Sequence, residues 1–151
     1  MFNVVLVEPE IPPNTGNIAR LCLATDATLH LVRPLGFSID DKTLKRAGLD
    51  YWKETRVELW DSFAQLQAAH PEGHFWYLTT KTDRPYYAAD LAATDFLVFG
   101  RETKGLPEPL IDANAERCLT IPMTSKTRSL NLATAVGIVL FEGMRQVKTA
   151  R

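Results

Sequence analysis

Apolar positions along the chain come in two rhythms: short unbroken runs, and longer segments in which they recur every three or four residues. The unbroken runs cover residues 2–7, 28–32, 56–60, 75–79, 95–99 and 117–121, and several are apolar on both faces. Runs of this length read as strands, and strands apolar on both sides belong in a sheet covered by helices above and below. The helical rhythm falls between them, over about 14–25, 40–47, 61–69, 107–113 and 129–147. Alternation of the two predicts one α/β domain over all 151 residues, built on a mainly parallel sheet with helices on both faces.

Two of the helices say more than the others. In the first, Ile18, Leu21, Cys22 and Thr25 follow the spacing of a core stripe, whereas Asn14, Asn17 and Arg20 fall off it. Asn14 reads as the N-cap, its side-chain oxygen accepting from a backbone N–H two or three residues on. Arg20, one and a half turns further, is not accounted for by capping and is a candidate for the carboxyl edge of the sheet. In the last helix Leu130, Leu132, Val136, Ile138, Val139, Leu140, Phe141, Met144 and Val147 surround the cylinder. A sheet covers one side of a helix, so the other side predicts a second copy of the chain, in a C2 homodimer.

A hydrophobic fraction of 46% and a charged fraction of 23% are ordinary for a globular chain. A domain of this size buries about 70% of its unfolded surface without help from disulfides or metal. Cys22 and Cys118 both stand in apolar segments and are expected as buried thiols. No apolar run approaches the roughly 18 residues of a membrane span, and the start "MFNVVLVEPE" has no basic leader region or cleavage site, so a cytoplasmic location and no membrane partner are expected. With a net charge of -1, contact with nucleic acid requires a local patch. Between Arg33 and Arg56, the bases Arg33, Lys42, Lys45, Arg46, Lys53 and Arg56 outnumber Asp40, Asp41, Asp50 and Glu54, with Tyr51 and Trp52 interleaved. The same residues also suit a solvated helix face.

Ligands of parallel sheets gather beyond the carboxyl ends of the strands, which directs attention to the loops after Val7, Thr79, Phe99 and Ile121. The first, "EPEIPPNTGNIAR", sits where a phosphate loop would, yet it has one glycine, two adjacent prolines at the turn and no Gly-Lys-Ser/Thr. The second, "GRETKGLP", sets two glycines five apart around Glu102, which lets a backbone approach a ligand closely, with Pro107 opening the next helix. The third, "PMTSKTR", runs into Ser129-Leu130-Asn131, where Ser129 reads as the cap of the last helix. His30 lies inside an apolar strand, and His70 and His74 flank a turn. None has an evident carboxylate or nucleophile beside it, so neither a triad nor a metal site is expected. What remains is a set of glycines, amides, hydroxyls and one arginine, suited to holding a small organic cofactor and orienting an attack.

"NTGNIAR", "LVFGRETKGLP" and "IPMTSKTRSLNLATAVGIVLFE" resemble, in order and approximate spacing, the three motifs of the TrmH-like branch of the SPOUT RNA 2'-O-methyltransferases. "VEPEIPPNTGNIARLC" and "GFSIDDKTLKRAGLDYW" resemble more narrowly the TrmL group of that branch. The resemblance runs from Met1 to about Gln146. It implies a SPOUT fold with a deep C-terminal trefoil knot, an exception to the rule of unknotted chains, and action as a homodimer. It also implies an S-adenosylmethionine-dependent transfer of methyl to the ribose of the wobble nucleotide, cytidine or modified uridine 34 in the tRNA anticodon stem-loop, of leucine tRNAs in particular, leaving S-adenosylhomocysteine. The same reaction on another tRNA or rRNA nucleotide, and a non-catalytic RNA-binding module, are the competing readings.

Position by position, the resemblance implies a cofactor pocket of Leu78, Thr79, Gly100, Glu102, Ile121, Met123, Ser129, Leu130 and Ala133. It implies a catalytic group of Arg20, Asn14, Glu102, Ser129 and Asn131, and no metal. Arg20 is then either the general base or a clamp on a neighbouring phosphate. A guanidinium with a pKa above about 12 makes the first role demanding. Where many relatives continue Ser-Leu-Asn-Leu with serine and asparagine, this chain has Ala133 and Thr134, which removes a side-chain hydrogen bond from that turn.

Overall fold

The computed structural model describes residues 1–40, 42, 46 and 52–149. Six strands, β1 (Asn3–Val7), β2 (Thr28–Val32), β3 (Val57–Trp60), β4 (Phe75–Leu78), β5 (Phe96–Phe99) and β6 (Cys118–Leu119), form one sheet in the order β3-β2-β1-β5-β4-β6. Every pairing is parallel. Among the described residues, the helices α1 (Pro12–Thr25), α2 (Phe63–Ala69), α3 (Glu108–Ala113) and α4 (Leu132–Thr149) pack on it. Of the helix expected over 40–47, Lys42 and Arg46 are helical and exposed, and its other positions from 41 on lie outside the described residues.

Period-two alternation within the strands divides the core. Val4, Leu6, Leu29, Leu31, Leu97 and Leu119 face the side covered by α1 and α4, where Ile18, Cys22, Val136, Val139 and Leu140 meet them. Val5, Val7, Tyr77, Val98 and Cys118 face the other side, against Leu66 of α2 and Ile111 of α3. Each fully buried aliphatic of this kind contributes about 1.5–3 kcal/mol. The strands are apolar on both faces because both faces are covered.

β2 keeps the bounds of its apolar run, and the other strands are shorter than theirs, most clearly β6, which keeps two of five expected residues. Thr120 beyond it still pairs by a bridge with Pro85 and receives the Tyr86 N–H (2.8 Å). The first helix begins at Pro12, and its N-cap is Ile11, not Asn14. Pro12 and Pro13 carry no N–H, so two of the orphan donors a cap would satisfy do not exist. The N–H groups of Asn14 and Thr15 reach Ile11 O at 3.1 and 3.4 Å, which leaves the Asn14 side chain free for other partners. At its other end α1 closes with Asp26 in the left-handed region (φ 58), Ala27 N–H on Cys22 O and Asp26 N–H on Leu23 O, a Schellman arrangement.

The last helix begins at Leu132, and its cap is Asn131 in place of Ser129. Asn131 Oδ1 accepts from Ala133 N (2.9 Å) and Thr134 N (3.3 Å). Ser129 is exposed and hands only its carbonyl to Thr127. The helix is buried unevenly: Val136, Val139 and Leu140 are inaccessible, Ile138, Met144 and Val147 are half-buried, and Phe141 is 49% exposed.

Candidate active site

β1 pairs with both β2 and β5, and the chain leaves β1 toward α1 on one face but leaves β5 toward α3 on the other. The two loops therefore part at the carboxyl end of the sheet, the switch point where parallel sheets bind ligands. A cavity of about 270 Å³ opens to one side of that point, beyond the carboxyl ends of β4, β5 and β6 and against the start of α4. It is lined by the expected Leu78, Thr79, Gly100, Glu102, Ile121, Met123, Ser129 and Leu130, which the tertiary fold brings together from four separate stretches. Ala133 is not on its wall. The first turn of α4 presents Leu132 and Ala135 instead, because Asn131 starts the helix later than Ser129 would have.

Phe99, Leu106, Ile111, Thr80, Lys81, Lys104 and Arg128 are also on the wall, with Arg101, Thr103, Gly105 and Thr120. Their signal was there in part: Arg101, Thr103, Lys104, Gly105, Leu106 and Arg128 lie in the two loops the sequence pointed to, whereas Phe99 and Ile111 read only as core. An apolar floor with hydroxyl, amide and charged groups at its rim suits a nucleoside, whose flat face is apolar and whose edges are polar.

Gly100 is bare for a reason other than ligand approach. A Cβ there would lie 2.1 Å from Gly105 C and 2.2 Å from Leu106 N, so the loop's own backbone occupies the space. Residues 101–105 close on themselves, with Arg101 N donating to Gly105 O (3.2 Å) and Gly105 N to Arg101 O (2.9 Å), and Gly105 takes φ 68 to allow it.

Glu102 points out of this loop toward the first one. Its Oε1 accepts from Glu10 N (2.9 Å), and its Oε2 from Ile11 N (2.9 Å) and from Asn14 Nδ2 (3.3 Å). Asn14, only 8% exposed, accepts on Oδ1 from Asn131 Nδ2 (3.0 Å). The direction of the chain is forced: Asn131 must use its oxygen to cap α4, so its amide nitrogen donates to Asn14, whose own nitrogen then donates to Glu102. Three loops far apart in sequence are thus joined by side-chain hydrogen bonds.

Arg20 lies on the exposed side of α1 and does not line the cavity. Gly16, the one glycine of the first loop, is buried inside α1 and is not open to an RNA backbone. In the basic stretch, Arg33 pairs with Asp61 (3.1 Å), and Arg56 pairs with Asp26 (2.9 Å) while also holding Asp26 O and Thr28. Trp52 packs against the core. Lys42, Arg46 and Lys53 are exposed, and Lys45 and Tyr51 lie outside the described residues.

The histidines are at the opposite end of the sheet and have more company than the sequence suggested. His30 is 1% exposed, with Nε2 on Asn3 Oδ1 (2.8 Å), Nδ1 receiving the Trp60 indole N–H (3.0 Å), and Glu58 3.3 Å from Nδ1. Burial first, and then the neighbouring His70, lower its pKa to about 4. An Nδ1 that accepts from Trp60 carries no proton for Glu58, whose carboxylate is half in water. Cys22 and Cys118 are both buried and free, and burial raises the Cys22 pKa to about 12, so it is an inert core thiol.

Among the described residues no group of three His, Cys, Asp or Glu is arranged to hold a metal ion, and no helix is long and apolar enough to cross a membrane.

The same architecture recurs in known proteins. Residues 1–141 match the family described as the SpoU rRNA methylase family. The Escherichia coli (strain K12) protein named tRNA (cytidine(34)-2'-O)-methyltransferase is 48% identical over 149 residues, 97% of this chain and 94% of its own. A solved structure described as giving insights into the 2-OH methylation of C/U34 on tRNA superposes with a TM-score of 0.94 at 43% identity, covering 100% of this chain and 98% of that one. An AdoMet-bound rRNA methyltransferase from Sinorhizobium meliloti gives a TM-score of 0.83 at 26% identity, covering 95% of this chain and 56% of that one. With its parallel sheet, its cavity beyond the carboxyl ends of β4, β5 and β6 and a match across nearly its whole length, this chain belongs to the SpoU methylase family and has the α/β fold of the SPOUT methyltransferases.

Proposed function

We propose that this chain is an S-adenosylmethionine-dependent tRNA 2'-O-methyltransferase acting on the ribose of the wobble nucleotide, cytidine or modified uridine 34. The observation that carries the reading is the hydrogen-bonded chain Glu102–Asn14–Asn131, which ties the rim of a nucleoside-sized cavity to the helix bearing Arg20. Relatives at this level of identity across almost the whole chain supply the substrate.

The cofactor, when bound, supplies an electrophilic methyl on a sulfonium. Leu78, Ile121, Met123 and Leu130 offer apolar contact to its adenosine, and the backbone of the loops after β5 and β6 offers polar contact at the edges. The protein's own share of the chemistry is position and charge. An in-line displacement gains most from holding nucleophile and electrophile in register. Arg20 is a permanent cation at neutral pH, so its role is to hold a phosphate flanking the ribose and to stabilise the alkoxide that develops as the 2'-hydroxyl gives its proton to solvent. Glu102 accepts three N–H groups on its two oxygens and acts as an anchor for α1. Asn14 and Asn131 position, and Ser129, exposed at the cavity mouth, is the hydroxyl nearest in sequence to the α4 cap that can meet a ligand.

The same proposal includes a cytoplasmic homodimer that uses the uncovered side of α4 around Ile138 and Phe141, an anticodon stem-loop as the RNA element recognised, leucine tRNAs as substrates, a single domain, and a knotted C-terminal segment. Total tRNA and rRNA incubated with the protein and methyl-labelled S-adenosylmethionine, followed by mapping of the labelled nucleotide, tests it. Label at the ribose of nucleotide 34 is expected. Label elsewhere in tRNA, or in rRNA, replaces the substrate, and no label at all removes the enzyme.

A further inference from the structure

The first loop and the loop after β5 grip each other twice, in opposite senses. Glu102 takes the backbone N–H groups of Glu10 and Ile11, and Glu10 in return takes the backbone N–H of Thr103 (3.1 Å) and its hydroxyl (2.7 Å), both on Oε1. Carboxylate and main chain exchange roles across the gap, closing a ring through the Glu102–Thr103 peptide. The first loop is also pinned from behind, because Gly36 N–H donates to Pro9 O (2.9 Å) and a Cβ on Gly36 would lie 2.8 Å from Glu10 Cα. Glu8, held at φ 55, pairs with Arg101 at 2.6 Å. A left-handed glutamate is strained, which requires that its surroundings hold it.

We infer that Glu10 is a positioning residue whose carboxylate, latched on Thr103, couples the cofactor side of the site to the RNA side, so that cofactor occupancy fixes the start of α1 and with it Arg20. Glu10 does not line the cavity, whereas Glu102 and Thr103 do. A ligand that orders the loop after β5 thereby orders the first loop through Glu10, and by linkage RNA bound along α1 tightens the cofactor by the same factor. This rests on the reading of the cavity as a cofactor site.

The experiment compares wild type, Glu10→Ala and Thr103→Ser with S-adenosylhomocysteine as the probe. Calorimetry first gives its dissociation constant for each protein, and amide hydrogen exchange then follows Glu10, Ile11, Asn14 and Thr15 with and without it. In wild type the probe is expected to slow exchange at Glu10 and Ile11 several-fold. In Glu10→Ala the dissociation constant is expected to stay within about threefold while the slowing at Ile11 disappears. Thr103→Ser, which keeps the hydroxyl, is expected to retain the wild-type pattern, a rescue that a general loss of folding would not give. Unchanged slowing at Ile11 in Glu10→Ala, or none in a wild type that binds the probe, overturns the latch. Failure of wild type to bind the probe overturns the cofactor reading, and the latch with it.

Discussion

Arg20 is exposed, off the core stripe and away from the cavity wall, and the proposed chemistry rests on its charge. Arg20→Ala is therefore expected to lower turnover by about 10²–10³, the loss typical of one charge-stabilising donor, while leaving cofactor affinity within about twofold. Calorimetry beside a labelled-methyl assay checks both halves, and a collapse of cofactor binding would assign Arg20 to the pocket. His30 makes the opposite kind of statement. Its folded pKa is about 4 against an ordinary 6.5, so below pH 6.5 the unfolded chain takes up a proton that the folded chain refuses. Stability from this residue is full above pH 6.5 and falls as the pH drops toward 4, by up to about 3 kcal/mol. Urea midpoints between pH 7.5 and 5 are expected to decline more steeply for wild type than for His30→Gln, and equal slopes would mean that the imidazole is solvated. At this scale the sequence put Glu102 in the cavity wall, where the structure has it, and read Asn14 and Ser129 as helix caps, roles that fall to Ile11 and Asn131. A cap is decided by which N–H groups are unsatisfied, and that depends on where the helix starts.

Among the elements, the strands were the most legible, because an apolar run buried on both faces has few other interpretations. Their ends were less so: β6 stops at Leu119 although 120 and 121 are no less apolar than residues inside other strands, because beyond it the chain turns to meet Arg84 and Tyr86. Helix starts shifted for a local reason at α1, where two prolines remove the donors, and for a distant one at α4, where Asn131 serves both its own helix and Asn14. That double duty gives a test. Asn131→Ala is expected to cost about 1–2 kcal/mol of stability, a cap plus the loss of Asn14's partner. Ser129→Ala, at an exposed hydroxyl, is expected to cost less than about 0.5 kcal/mol. Thermal unfolding of the two variants checks the order, and the reverse order would return the cap to Ser129.

For the whole molecule, α4 poses the outstanding demand. Its sheet side is satisfied by Val136, Val139 and Leu140, while Phe141 and the half-buried Ile138 face outward. A sedimentation experiment at micromolar concentration is expected to give a dimer, and Phe141→Glu to shift it toward monomer. A monomeric wild type would leave the apolar side of α4 with another purpose. By itself the sequence determined the α/β class, the parallel sheet with helices on both faces, and the three loops that matter, because burial periodicity and loop chemistry are local and survive reading one residue at a time. Only the tertiary structure decided that β1 lies beside β5, and that the ends of β4, β5 and β6 and the start of α4 enclose one cavity. It alone decided that Gly100 is bare to admit Gly105 rather than a ligand, and that Glu102 reaches across 92 positions to the Glu10 N–H while Glu10 reaches across 93 to the Thr103 N–H. Those are contacts between residues with no common period or spacing. A sheet order or a hydrogen bond between distant loops is fixed by the packing free energy of the whole chain and leaves no mark on any one segment.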